Sequence, residues 1–444
     1  MRRTISLLLA CTAGAATLPL TLLDGAPAHA AAPTTTTHYV PLATPTRLID
    51  TRASGALGAG ASITLGVTGA APLPAVGAAR AVVLNVTVVG PAGEGFWTLY
   101  PTGTTMPTAS SVNVDERWAL LGDALAVPNL VTVPVGVDGT VTIFSQRGGH
   151  VVVDMLGSYQ LSGAVADGRF VPLAAPRRVV DTRDTAVLAP ASVTEVRVPD
   201  AGGAEAAVLN VTTIATSPGY WTVFPANTTP PTAANLNSLY PLHIVSNQVI
   251  VPLDADGDFS VFSQGGGQLI VDLVGLFTGA AAPVSTDGLF VPLATPTRFL
   301  DTRDPTLNPL GGTKMLLPGW NAEVPVTGNP AIGNVPVAAL AVNLTITESL
   351  GGGYVSLTPA GANDPKVKSR TTSTLNIVRA AQTLPNHATV AVSSRGFDVF
   401  SQSGAHAIVD VAGYYQGAPV ASPFGVPDNA TGTPFGCAGF PTTP

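Results

Sequence analysis

The sequence predicts an all-β protein of three tandem domains, each a β-sandwich or jelly roll. First, one long motif occurs three times along the chain. Second, the apolar residues fall in short runs rich in Val, Ile, Thr and aromatic residues, as they do in β-strands. Third, the 47 Gly and 40 Pro residues fall largely between those runs, where turns are needed. A closed barrel or a propeller-like fold is the alternative that these patterns leave open.

The repeated motif sets the expected domain boundaries. It opens with Tyr-Val-Pro-Leu-Ala-Thr-Pro-Thr-Arg-Leu-Ile-Asp-Thr-Arg at 39–52 and returns at 170–183 and 290–303. Each copy continues with a Leu-Asn-Val-Thr type segment, a Gly-aromatic segment and a closing Val-Asp-x-x-Gly segment, in that order. Copies of this length match whole domains. We therefore expect β domains at 38–160, 168–279 and 288–417, with flexible linkers at 161–167 and 280–287.

The N-terminal residues predict export, and the C-terminal residues predict a disordered tail. Arg2 and Arg3, an apolar stretch and the small-x-small sequence ending at Ala30 form a secretory signal peptide at 1–30. Residues 418–444 are rich in Pro and lack an apolar period, which predicts a disordered tail. Cys437 is the only cysteine beyond the signal peptide, so it would be a free thiol or form an intermolecular disulfide.

Composition narrows the choice of partners. Only 11% of the residues are charged and the net charge is −7, so we expect no basic surface for nucleic acid. No segment after the signal peptide has the 18 or more apolar residues of a membrane span, so we expect no membrane insertion. The chain has no recognisable catalytic or metal-binding motif, and we expect no cofactor, no metal and no catalytic residue.

Acidic and basic residues recur at the start and end of each copy. Residues two apart in a strand share a face, so Asp50 and Arg52 point together, and the apolar run around Asp154 predicts a buried carboxylate. We predict that the opening strand lies beside the closing strand, and that the Arg of each Asp-Thr-Arg triplet binds the closing Asp of its own copy. The alternative is a carboxylate pair for acid–base catalysis or calcium binding. The expected structural ion-pair residues are Asp50, Arg52, Asp154, Asp181, Arg183, Asp272, Asp301, Arg303 and Asp410.

The Gly-aromatic strand is the best candidate for ligand binding. Alternation puts Trp97 and Leu99 toward the core, with aromatic and hydroxyl side chains on the opposite, half-exposed face. Flat rings beside hydroxyls suit sugars, whereas cross-strand aromatic pairs without a ligand are the alternative. The candidate ligand-binding residues are Phe96, Thr98, Tyr100, Tyr220, Thr222, Phe224 and Tyr354.

Several polar features are assigned to turns. Asn side chains often close turns by bonding to nearby backbone. Asp138-Gly139 and Asp256-Gly257 lie between apolar runs, which predicts tight hairpins. The N-x-T sites at 85, 210 and 343 lie within predicted strands, so we expect no glycosylation there. The asparagines assigned to turns are Asn113, Asn237, Asn376, Asn129, Asn247 and Asn386.

These segments together resemble an uncharacterised extracellular repeat domain of actinomycete secreted and cell-wall-associated proteins. Those domains share a Leu-Asp-Thr-Arg start, a Leu-Asn-Val-Thr strand and a Val-Asp-Val-x-Gly-Tyr-Phe end, and occur in tandem or beside cell-wall and hydrolytic enzymes. The resemblance covers nearly all of 38–417 and implies an accessory, surface-associated or binding role without catalytic residues. Copy one departs from the pattern at its end, around Met155, and copy three has Val355 where the others have Trp.

The sequence therefore favours a secreted, non-catalytic structural or adhesive protein of the cell envelope or matrix. Its possible partners are a cell-wall polysaccharide and a surface protein. Tandem domains would strengthen attachment to a repetitive partner, because several weak sites together raise avidity. The first alternative is a carbohydrate-binding protein that uses the aromatic strands. The second is an extracellular hydrolase with a spatially assembled site, which would need a His or carboxylate cluster in one copy that the other two lack.

Overall fold

The computed structural model of the protein describes residues 35–122, 125–361 and 372–421. The predicted signal peptide, Cys437 and all but the first four residues of the predicted tail lie outside the described residues. The described chain is built of strands, with one four-residue helix, α1 (Glu116–Ala119), which confirms the all-β class. Within these residues, no helix has the length and hydropathy needed to cross a membrane.

Repeat 1 (38–160) forms a sandwich of two four-stranded antiparallel sheets. Its inner sheet has the order β6-β3-β8-β1 and its outer sheet has the order β2-β7-β4-β5. This is the strand order of a jelly roll, in which eight strands form two sheets and the first strand pairs with the last. The strands are β1 (Thr37–Asp50), β2 (Ser62–Gly66), β3 (Ala79–Val89), β4 (Gly95–Pro101), β5 (Val112–Val114), β6 (Ala126–Pro134), β7 (Thr140–Ser145) and β8 (His150–Leu161).

Repeats 2 (168–279) and 3 (288–417) have the same topology. Their inner sheets are β14-β11-β16-β9 and β22-β19-β24-β17, and their outer sheets are β10-β15-β12-β13 and β18-β23-β20-β21. The inner sheets of repeats 1 and 3 are joined into one eight-stranded sheet, because β1 pairs with β17 at Thr37 and Phe290. Repeat 2 contains β9 (Phe170–Asp181), β10 (Ser192–Arg197), β11 (Ala204–Ala215), β12 (Gly219–Pro225), β13 (Leu236–Ser238), β14 (Ile244–Pro252), β15 (Asp258–Ser263) and β16 (Gly267–Thr278). Repeat 3 contains β17 (Phe290–Asp301), β18 (Trp320–Val324), β19 (Val337–Thr347), β20 (Gly353–Pro359), β21 (Leu375–Ile377), β22 (Leu384–Ala391), β23 (Phe397–Ser401) and β24 (His406–Gln416).

The two central strands of each inner sheet are buried on both faces, whereas the opening strands β1 and β9 are largely half-buried or exposed. In β3 alternate residues such as Leu84 and Val86 pack between the two sheets of repeat 1, together with Trp97 from the outer sheet. The residues that alternate with these along β3, such as Val83, face away from the outer sheet and are also buried. Burial on both faces explains why the inner strands read as continuous apolar runs without alternation.

The three inner sheets enclose one shared core, which the sequence did not predict. Tyr39, Phe170 and Phe290 from the three opening strands belong to a single apolar cluster with residues of all three closing strands. We expected three bodies joined by flexible linkers, but the described residues belong to one compact unit. The two linkers also pair with each other through Val165 and Ser285. Burial of the inner faces therefore depends on all three repeats.

The prediction of hairpins at Asp138-Gly139 and Asp256-Gly257 is wrong. The turn at Gly139, which has φ +72°, joins β6 of the inner sheet to β7 of the outer sheet. The turn at Gly257 joins β14 to β15 in the same way. The Asp-Gly turn is local and occurs as readily where the chain crosses between sheets, so its sequence does not show which strands pair.

Candidate functional site

Each repeat contains a cluster of Arg and Asp side chains between its first and last strands. In repeat 1, Arg47 on β1 lies opposite Asp154 on β8, with 2.5 Å between Arg47 Nε and Asp154 Oδ1. Its Nη1 lies 3.1 Å from Asp50 Oδ2. The opening strand therefore lies beside the closing strand, as the sequence predicts, and an ion pair with a buried carboxylate joins them. The equivalent pairs are Arg178–Asp272 at 2.7 Å and Arg298–Asp410 at 2.9 Å.

The prediction that Arg52 binds Asp154 is wrong. Arg52 follows the end of β1 in a turn and folds back onto Asp50, with Nη2 2.5 Å from Asp50 Oδ2. A register shift between Arg47 and Ile49 disturbs the strict alternation of β1 and brings Arg47 opposite Asp154. Alternation counted back from Asp50 could not anticipate this shift. The equivalent turn pairs are Arg183–Asp181 at 2.6 Å and Arg303–Asp301 at 2.8 Å.

Burial and the arginines act in opposite directions on these carboxyl groups. Asp154 is 3% exposed, and burial raises its pKa although hydrogen bonds from Arg47 oppose the rise. The hydrogen bonds from Arg52 lower the pKa of Asp50 to about 2. The closing carboxylate thus depends on its arginine for compensation, as expected of a structural ion pair. Burial likewise raises the pKa of Asp272 and Asp410 against opposition from Arg178 and Arg298.

The Gly-aromatic strands β4, β12 and β20 occupy central positions in the outer sheets. Trp97 and Trp221 are buried toward the core, as predicted. On the opposite face, each strand forms one cross-strand aromatic pair, which is the arrangement of the ligand-free alternative. The three pairs are Phe96–Phe144, Tyr220–Phe262 and Tyr354–Phe400, with ring centroids 6.0, 5.7 and 5.9 Å apart.

The predicted hydroxyls of this face are not available to a ligand. Thr98 is 1% exposed and donates to the carbonyl of Ala109 at 2.9 Å, in the loop between β4 and β5. Thr222 donates in the same way to Ala233 at 2.7 Å. Phe224 is also buried. The expectation of a half-exposed face therefore holds only for the rings of Phe96, Tyr100, Tyr220 and Tyr354, which remain partly exposed.

A ring of asparagines joins the repeats, and the turn role expected for them is wrong. Asn129, Asn247 and Asn386 are each 1% exposed and lie in β6, β14 and β22. The backbone N–H that follows each one donates to the asparagine of the next repeat, and the series closes on itself. The three bonds are Leu130 N to Asn247 Oδ1 (3.2 Å), Gln248 N to Asn386 Oδ1 (3.3 Å) and His387 N to Asn129 Oδ1 (2.9 Å).

A second ring comes from the asparagines of the N-x-T sites. Each side chain donates to a backbone carbonyl in the loop before the fifth strand of the next repeat. Because Asn85 is 1% exposed, its burial agrees with the expectation of no glycosylation. The contacts are Asn85 Nδ2 to Ala234 O (2.7 Å), Asn210 Nδ2 to Ser373 O (2.5 Å) and Asn343 Nδ2 to Ser110 O (2.7 Å). The same contact recurs between each pair of repeats, which indicates approximate threefold symmetry.

The glycine of each closing motif makes room for an aromatic ring. A Cβ at Gly157 would lie within 2.7 Å of the ring of Tyr39, at the start of β1. Gly275 and Gly413 meet Phe170 and Phe290 in the same way. The Val-Asp-x-x-Gly motif therefore serves two contacts of the inner sheet: the Asp binds arginine, and the Gly admits the ring that enters the shared core.

Two small cavities lie between the repeats. One, of about 40 Å³, is bordered by all three repeats and by Gln382, whose buried Nε2 has no hydrogen-bond partner. The other, of about 20 Å³, lies between repeats 1 and 3 beside His387 and Asp410. Both volumes suit a few water molecules and fall far below the ~300–1,000 Å³ of a small-molecule pocket. In the described part of the chain, no group of three or more His, Cys, Asp or Glu residues is arranged to hold a metal ion.

Comparison with known proteins adds little to these observations. No protein-family model matches the chain, and no curated protein sequence matches it. A solved structure titled "Crystal Structure of the STIV MCP" aligns with 55% of this chain and 97% of its own, at 10% identity and a TM-score of 0.14. A likeness this weak carries no argument, so the jelly-roll description rests on the strand order given above.

Proposed function

We propose that the protein is a secreted, non-catalytic adhesive or structural protein of the cell envelope or matrix, which presents three like surfaces. The observation that carries this proposal is the aromatic pair found at the same place on each outer sheet. The inner faces are occupied by the shared core, so the outer sheets are the equivalent surfaces left for partners. The sequence resemblance to repeat domains of wall-associated proteins supports the same conclusion.

Three equal surfaces on one body suit a repetitive polymer. A weak contact at one sheet becomes a strong attachment when the other two sheets reach neighbouring units of the same polymer. A cell-wall polysaccharide has such repeated units, and so has a surface protein that forms an array. Retention would then depend steeply on the number of intact surfaces.

Sedimentation with insoluble peptidoglycan, chitin and cellulose tests this proposal. We expect retention on at least one polymer, reduced about threefold in Phe96→Ala and by more than about tenfold in the triple variant Phe96→Ala, Tyr220→Ala, Tyr354→Ala. Val137→Ala is the matched control, because Val137 is 91% exposed and lies in the turn between β6 and β7, outside the strands that carry the aromatic pairs. Absence of retention on all three polymers, together with full recovery of the native protein from the culture medium, would contradict wall attachment.

Carbohydrate binding through the aromatic strands is the second candidate. The partly exposed rings of Tyr220 and Tyr354 favour it, and the engaged hydroxyls of neighbouring residues restrict it to stacking on ring faces. On a glycan array, this candidate predicts that Tyr220→Phe keeps its binding while Tyr220→Ala loses it. Equal binding by both variants would contradict carbohydrate binding through the ring of Tyr220.

A further inference from the structure

The inner faces of the three repeats make the same aromatic contacts in cyclic order. In each contact, an opening-strand ring of one repeat meets a closing-strand ring of another. The three contacts are Tyr39–Phe277, Phe170–Tyr415 and Phe290–Tyr159, with centroids 4.5, 4.6 and 4.2 Å apart. The two asparagine rings follow the same cycle. A repeated head-to-tail contact that closes after three copies is the geometry of a cyclic trimer.

We propose that the inner sheet of each repeat is an association surface whose partner is another copy of the repeat, and that a layer of unlike side chains, the ordering layer, selects one copy of each repeat. This inference is independent of the proposed function. The layer consists of the residues that follow the ring asparagines: Leu130, Gln248 and His387. All three are buried, at 0%, 2% and 3% exposed.

Within this layer, repeats 2 and 3 complement each other. His387 Nδ1 lies 2.6 Å from Gln248 Oε1, and Leu130 belongs to the apolar core shared by the repeats. Three copies of repeat 3 would instead bury three imidazoles together, and three copies of repeat 2 would bury three amides. Either set loses the matched pair and its apolar neighbour, so the unlike set is favoured.

Two further contacts join unlike repeats. The hydroxyls of Tyr159 and Tyr415 hydrogen bond between repeats 1 and 3, whereas repeat 2 has Phe277 at that position. Arg379 of repeat 3 forms an ion pair of 2.5 Å with Asp115 of repeat 1.

Cutting the folded full-length chain tests the association surface. Protease sites inserted after Gly163 and after Ala280, two exposed linker positions, release the three repeats without altering a strand. We expect the cut protein to remain one particle of unchanged mass by light scattering and native mass spectrometry. After unfolding and refolding as a mixture, the fragments should return as a particle with one copy of each. Release of folded single repeats would overturn the association surface.

The ordering layer has its own test. In the double variant Gln248→Leu/His387→Leu all three positions of the layer are Leu, and we expect the cut and refolded fragments to include particles with two or three copies of one repeat. Persistence of a purely one-of-each composition in this variant would overturn the ordering role. Because the variant could fail to fold, the composition reached by the cut wild-type protein provides an independent check: a random mixture there also overturns the ordering role. Val137→Ala is the control, because Val137 is 91% exposed and lies in the turn between β6 and β7, outside the layer.

Discussion

The inner and outer sheets of each repeat are built from similar strands, yet they differ in what covers the face turned away from the partner sheet. The inner sheets bury this face against the other repeats, with ion pairs, asparagine rings and aromatic contacts repeated threefold. The outer sheets cover theirs only in part, with one aromatic pair and a loop of their own repeat. Three of the four repeated segments belong to the inner sheets, and the Gly-aromatic segment belongs to the outer sheets. Repetition of the inner-sheet segments therefore marks packing between repeats, and repetition of the outer segment gives each repeat the same aromatic pair.

The largest effect expected from this difference is at the half-buried arginine that binds the buried carboxylate of an inner sheet. Arg298→Ala removes the partner of Asp410, which is 2% exposed, and should lower the free energy of unfolding by about 3–5 kcal/mol. Urea unfolding followed by tryptophan fluorescence measures this change. Arg303→Ala is the matched control: its side chain is 43% exposed, so we expect a loss of about 1 kcal/mol or less. Equal losses in the two variants would contradict the assignment of roles.

The next effect is at the glycine of a closing motif. A Cβ in Gly275→Ala would come within 2.6 Å of the ring of Phe170, so we expect a loss of about 1–3 kcal/mol through overpacking. Gly163→Ala serves as the control, because nothing lies within 4 Å of its added Cβ. The melting temperatures of both variants measure this loss. An unchanged melting temperature for Gly275→Ala would contradict the requirement for glycine beside the ring of Phe170.

Acid should weaken the contact between repeats through His387. Burial lowers its pKa to about 3, so the folded protein holds it neutral while the unfolded chain protonates it near its ordinary value of 6.5. The contribution of neutral His387 to the free energy of unfolding is fully present above about pH 6.5. It is lost as the pH falls toward 3, by up to about 1.4 kcal/mol per pH unit. His387→Gln should remove this slope between pH 6.5 and 4.5.

Two other groups titrate in the same range. Burial lowers the pKa of His243 to about 4, which adds a slope of the same sign, and raises that of Glu205 to about 7, which adds one of opposite sign. The effects of His243 and Glu205 are present in both proteins, so they cancel when the free energy of unfolding of His387→Gln is subtracted from that of the wild type at each pH. If this difference does not change with pH, His387 is not held neutral at the interface.

The smallest effect is expected on the outer sheet. Phe96→Ala removes one partly exposed cross-strand pair and should cost about 0.5–1 kcal/mol. Trp97→Ala, one residue along the same strand but facing the core, should cost about 3–5 kcal/mol. Chemical unfolding of the two variants separates the faces of β4, and a larger loss for Phe96→Ala would reverse our assignment of its outward face.

Local sequence was sufficient for the all-β class and for the faces of single strands, but not for the register of β1, the connections between strands or the way the repeats combine. The alternation around Trp97 and the apolar setting of Asp154 identified a core ring and a buried carboxylate, because both depend on strand period alone. Arg47 was missed, since a register shift in β1 changes which arginine faces Asp154. Asn129 was misread, since an amide within an apolar strand needs a partner, but nothing in the strand shows that the partner belongs to another repeat.

Small-angle X-ray scattering of the chain trimmed to residues 35–421 tests the shared core most directly. One compact body of this length should have a radius of gyration of roughly 21 Å. We expect that value, unchanged by salt and by the addition of glycine to the linkers. A distinctly larger radius that grows with linker length would mean three separate sandwiches on a string, and would contradict the shared core.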